Sequence, residues 1–157
     1  MTSVMVVSTT EPARAGSMPI FFIASGIWYL CNLVLLWPPV YAGALSLIYP
    51  GIDLGQGQPV FDLLLDAWLI VGIQLAAIGI VALWGARQPW KYIALVPVIV
   101  LTEAVGAAWD IYSLLCSGEA EWVVFTTLAA HAVIVLGAWY TWTAAHREKA
   151  QQGAVTS

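Results

Sequence analysis

Long apolar runs alternate with short polar or Gly/Pro-rich breaks along this chain. Crossing ~30 Å of hydrocarbon takes ~20 helical residues, and the runs at about 18–41, 60–84, 90–115 and 122–144 each meet that length. Residues 1–17 (MTSVMVVSTTEPARAGS) are small, polar and unpatterned and read as a disordered tail, and residues 145–157 read as a polar, frayed C-terminal tail. Residues 18–144 between them form one unit without internal repeats. The pattern predicts an all-α fold, an integral membrane four-helix bundle.

The breaks have their own chemistry. Pro38-Pro39 end the first helix, because proline lacks the N–H and crowds the preceding turn. Residues 40–49 read as a short helix in the interface or folded back over the bundle. Residues 51–59 carry turn residues and complete the longest connection, a plain loop or a lid. Ala42-Gly43-Ala44 resembles a signal-peptide cleavage site, but the apolar stretch before it is long and aromatic for that role, so it is read as a span.

Composition strengthens the membrane reading. Hydrophobic residues make up 61% of the chain and charged residues 9%, against about 25% charged in soluble domains. No soluble fold of this size hides so much apolar surface. With four crossings, Arg14, Arg87, Lys91, Arg147 and Lys149 fall on one side, and Asp53, Glu119 and Glu121 on the other. The positive-inside rule then gives an N-in, C-in topology with both termini cytoplasmic, and a bacterial cytoplasmic membrane suits the sequence. A net charge of -4 with no basic patch excludes a nucleic-acid partner.

The aromatic residues fall into two belts. Trp84, Trp90, Tyr92, Trp139, Tyr140 and Trp142 suit the inner interface; Trp37, Tyr41, Tyr49, Tyr112 and Trp122 suit the outer one. Trp28, Trp68 and Trp109 lie deeper, where an indole N–H needs a partner. Cys31 and Cys116 form no C-x-x-C motif and read as small apolar residues; a disulfide between them requires both to reach the same outer level.

The informative residues are the polar ones inside the spans. Glu103 lies about 18 Å along the helix from Lys91, near mid-membrane, and Asp110 about 10 Å further out on the same face. Gly106 and Ala107 complete that stripe, where small residues permit close helix approach or leave room for a ligand. His131 lies about 14 Å into the fourth span and Asp66 about 9 Å into the second. Gln74 is near the middle of the second span, and Asn32 in the outer half of the first. Ionisable groups in a span usually face the bundle interior and mark a functional site. No Lys or Arg lies among them, and burial without a cation disfavours the charged form of a carboxyl, leaving it poised to give or take a proton. The bland alternatives remain open: Glu103 as packing glue to His131 or Gln74, Asp62 as a charge at a helix N-terminus, and Asn32 and Gln74 as links between helices.

Three function classes follow. The first is binding of a small lipophilic or amphipathic molecule in an acidic intramembrane cavity, with Glu103 and Asp110 as anchors, His131 and Asp66 assisting, and Trp109, Asn32 and Gln74 as further lining. The second is an isomerase or cyclase using Glu103, Asp110 and His131 for proton transfer. The third is an oligomeric transporter or accessory subunit, including a homodimer. Whether the chain is an enzyme stays open. No metal or cofactor is expected, because H-x-x-x-H and E-x-x-H spacings, a P-loop, GxGxxG and G-x-S-x-G are all absent, and His146 lies in the inner tail.

Size, span layout and the acidic third span TEAVGAAWDIY resemble the BphX-like family, short four-span bacterial membrane proteins without an established activity. The chain also resembles the EXPERA group, which includes sterol isomerases and sigma-2-type receptors, and which places carboxylates inside a four- or five-helix bundle open to a lipophilic ligand. That second resemblance implies proton-handling parts for Glu103, Asp110 and His131; the aspartates of its first span have no counterpart here beyond Asn32.

Overall fold

The computed structural model describes residues 16–155 other than 54 and 56, with side chains through residue 147. The expected N-terminal tail up to residue 15, with Arg14, and the side chain of Lys149 lie outside the described residues. The elements are α1 (Ser17–Leu35), α2 (Pro38–Ile48), α3 (Pro59–Gly85), α4 (Leu95–Tyr112) with a π-helical turn over Ser113–Ser117, and α5 (Glu121–Val155). No strand occurs among the described residues. Four helices are long and apolar enough to cross a membrane: α1, α3, α4 with its π turn, and α5 as far as Arg147.

Prolines set several boundaries. Trp37 is extended (ψ 129°), as the residue before a proline tends to be, so the first apolar run splits into α1 and the short α2. Gln58 (ψ 150°) starts α3 before Pro59 in the same way. The third helix begins at Leu95 and not at Trp90, because residues 90–94 form turns closed by bonds such as Leu95 N–H to Tyr92 O at 2.8 Å. Pro97 then sits in the first turn of α4, where a missing N–H is harmless. At the other end of the chain, α5 continues past residue 144 to Val155.

Glycines let α1 and α3 cross in backbone contact. A Cβ on Gly26 would lie 2.9 Å from the Gly79 carbonyl oxygen, and one on Gly79 would lie 2.9 Å from the Gly26 oxygen. Gly72, Ala76 and Ala82 extend the same buried face. Helices in lipid associate through such close packing, since no hydrophobic force drives them together. α1 also touches α5, and α5 packs along α4. Met18, Phe22, Tyr29, Ile99 and Ala138 form the shared core. α2 folds over one end, burying Tyr41 and Leu45 against Phe61 and Leu65, and Ala120 N–H bonds to Ile48 O at 2.7 Å, tying α2 to the α4–α5 connection. The outer faces carry Ile20, Leu63, Ile80, Leu101 and Leu136, all well exposed, a surface matched to hydrocarbon.

The Gly26–Gly79 contact yields a test. Gly79→Val should destabilise the bundle by about 1–3 kcal/mol, the usual range for overpacking, read as a lower midpoint of thermal unfolding in detergent; an unchanged midpoint would contradict the backbone contact.

Candidate functional site

One face of α4 is turned inward, presenting Val96, Ile99, Glu103 and Asp110 at intervals of three, four and seven. α5 lies opposite and presents His131. Its Nδ1 is 2.5 Å from Glu103 Oε2, and its Nε2 is 3.4 Å from Asp110 Oδ2. Glu103 is 1% exposed, and Asp110 is also buried. Gly106 makes this possible: a Cβ there would lie 2.6 Å from His131 Cε1 and 2.9 Å from Nε2, so the imidazole rests on the backbone of α4.

The proton arithmetic of this triad is simple. With both acids ionised and the imidazole neutral, the net charge would be −2. Among the described residues no Lys or Arg forms an ion pair with it. A low-dielectric site favours small net charge. An imidazole can take a proton at one nitrogen and release one at the other, and here each nitrogen faces a different carboxyl. Tyr29, fully buried on α1, turns its hydroxyl toward Glu103 and Thr102 without a well-formed hydrogen bond.

The other candidates stand apart. α3 turns its glycine face to α1, and Gln74, two residues beyond Gly72 and about 200° around the helix, is exposed on the opposite side. Asp66 is exposed on α3, as is Asp62 in the first turn. These placements correct the expectation of a cavity fed by every span, because close α1–α3 packing turns the polar residues of α3 outward. Asn32 donates its Nδ2 hydrogen to Trp28 O at 2.9 Å, a bond within its own helix. Trp109 is exposed and stacks edge-on against Trp68, with ring centres 6.0 Å apart. Cys31 and Cys116 are free and exposed. Among the described residues no group of three or more His, Cys, Asp or Glu is placed to hold a metal ion.

Two further features escaped the sequence reading. A groove of about 520 Å³ runs between α1 and α5, lined mainly by apolar residues such as Phe21, Trp28 and Ile134, with Ser25 and Thr141. Its lining includes Trp28 and Ala130, the chain neighbours of Tyr29 and His131. The second feature lies under α2. Ser113 is fully buried with its hydroxyl unpaired, and Glu119 Oε2 is likewise buried and unpaired. Burial pushes the Glu119 carboxyl above its ordinary range, opposed by the Ser113 hydroxyl and reinforced by the charge of Asp110. Burial also raises the Tyr49 and Tyr41 phenols, helped by the charge of Glu119. A mid-helix tyrosine one turn after Gly26 was the available signal for Tyr29; the sequence gives no sign that Glu119 is covered.

Two predictions follow from this geometry. Gly106→Val should push the imidazole off α4 and lengthen its contact with Glu103, seen as a changed His131 ring nitrogen resonance; an unaltered resonance would contradict the packing. For Glu119, the sign is set by its raised value in the folded protein. Its stabilising share is present below the unfolded value and is lost as pH rises through the folded one. Glu119→Gln should therefore raise the melting midpoint near pH 8 and leave it unchanged near pH 4; equal shifts at both pH values would refute the burial of the carboxyl.

The BphX-like family model matches residues 16–147. An uncharacterized BphX-like protein of Burkholderia cepacia is 45% identical over 125 residues, covering 80% of this chain and 90% of the relative. A second uncharacterized BphX-like protein, from Paraburkholderia xenovorans strain LB400, matches to the same extent. No solved structure matches the chain significantly. The acidic α4, the apolar helices and these matches agree, and the chain belongs to the BphX-like family.

Proposed function

We propose that this chain is an integral membrane protein of the bacterial cytoplasmic membrane, both termini cytoplasmic, that holds a small lipophilic or amphipathic molecule between α1 and α5 beside a proton-exchanging Glu103–His131–Asp110 triad. The observation that carries the reading is the imidazole set between two buried carboxyls. Buried ionisable groups are costly inside a membrane and persist there chiefly for function. The groove supports the ligand half: its volume falls in the ~300–1,000 Å³ range of small-molecule sites, and its mostly apolar lining suits a molecule entering from the bilayer. That lining holds no carboxyl or imidazole, which favours binding over an isomerase or cyclase acting on the groove's contents. The basic residues at the end opposite α2 support the orientation.

Native mass spectrometry of protein gently released from detergent tests the ligand half. A discrete small-molecule adduct is expected on the wild type and not on Ala24→Trp, which fills the groove from its lipid side; no adduct on either protein would sink the reading.

A second reading rests on Gln74, exposed near the middle of α3 and without a hydrogen bond to the described residues. An amide carries both donors and an acceptor, so two copies of α3 would satisfy each other's Gln74 in lipid. With the exposed Cys31 and Cys116 replaced by Ser, a homodimer through this face predicts oxidative cross-linking of Gln74→Cys in membranes and none for Leu101→Cys on the exposed surface of α4. Equal yields from the two would contradict it.

A further inference from the structure

The groups under α2 form a second polar site, separate from the triad and reaching it through one shared residue. Ser113 Oγ is unpaired although its residue is 0% exposed, and the Glu119 Oε2 and Asp110 Oδ2 atoms are also buried without a hydrogen bond. A buried polar atom left unpaired is costly, so three in one place call for an occupant that both donates and accepts. Ser113 stands between Glu119 and Tyr49, with Tyr41 beyond, and Glu119 senses Asp110. The π-helical turn sets Ser113 in this position, and such turns recur at functional sites. Gly118, at φ 68°, turns the chain so that Glu119 tucks beneath α2. The titratable groups facing this space are Tyr41 of α2, Tyr49 of the following loop, Asp110 of α4 and Glu119 itself. Asp110 also contacts His131.

We propose that Glu119, Ser113, Tyr49 and Asp110 form a hydrated entry site that takes protons from the water at the α2 end and delivers them to His131. This rests on the proton-exchanging role of the triad proposed above. The steps balance without any further reagent. Hydronium protonates the Glu119 carboxylate and leaves water. Glu119 passes the proton to water held at Ser113, whose oxygen accepts one proton as another moves on to Asp110. Asp110 then protonates His131 at Nε2, and His131 releases its Nδ1 proton to the Glu103 carboxylate. One proton has moved from the aqueous face to mid-membrane, and the chain of groups is otherwise unchanged except for the imidazole tautomer.

A pH jump followed by infrared absorption of the carboxyl groups tests this, with the full-length protein in oriented lipid vesicles. In the wild type, a jump on the α2 side should protonate the Glu103 carboxyl quickly, and Glu119→Gln and Ser113→Ala should each slow that step about tenfold or more while leaving its final amplitude unchanged. Glu119→Asp, which keeps a carboxyl, should restore most of the rate. Rates in both variants equal to wild type would overturn the entry site, as would an equally fast response to a jump on the opposite side. Should Glu119→Gln fail to fold, Ser113→Ala and Tyr49→Phe decide the matter by the same criterion. A wild-type Glu103 signal that ignores pH altogether would overturn the triad reading itself, an outcome separate from normal amplitudes with unaltered rates.

Discussion

A carboxyl buried among apolar helices must find its partner within the protein, and the burial of Glu103 imposes that constraint on the rest of the bundle. An ionisable residue at a span centre costs about 2.5–3.5 kcal/mol on insertion scales, while a hydrogen bond to a charged group returns about 1.5–3 kcal/mol. One good bond therefore roughly offsets the burial, and only if it is well made. His131 supplies it at 2.5 Å. That bond requires α4 and α5 to approach closely, which Gly106 permits. The second ring nitrogen then faces Asp110, so one imidazole serves two acids and Tyr29 closes the far side.

The two halves of the fold divide the labour. α1 and α3 are held by backbone contact at Gly26 and Gly79 and need no polar interaction at that crossing. α4 and α5 carry the titratable groups. α1 belongs to both halves, since its glycine face meets α3 while Phe21 and Tyr29 look toward α4 and α5. The groove lies where that second contact is looser. α2 covers the end of the bundle where Glu119 and Ser113 lie.

Much of this was readable in the sequence, and the omissions have physical causes. Span positions follow from hydropathy alone, and Glu103, Gly106 and Asp110 share a face because helical periodicity fixes it. The meeting of Glu103 with His131 was open to inference because both count to similar depths along their apolar helices. The general cost of polar groups in lipid points Asp66 and Gln74 inward. Which face of α3 is inward depends instead on the fit of Gly72 and Gly79 against α1, a pairwise property that one helix does not reveal. Glu119 looked like an ordinary loop charge because burial by α2 depends on how the chain returns after Trp37. The helix of the third run starts later than its hydropathy for a local reason: residues 90–94 are apolar enough for a span, yet their backbone closes as turns.

The arrangement stands or falls on an imidazole that bridges two carboxyls. The most direct measurement is nitrogen NMR of the His131 ring in lipid bilayers, from about pH 5 to 9. A ring set between the two acids should show Nδ1 hydrogen-bonded, with Glu103→Gln altering the Nδ1 resonance first and Asp110→Asn altering the Nε2 resonance through its 3.4 Å contact. Resonances of a free imidazole, indifferent to both substitutions, would contradict the triad.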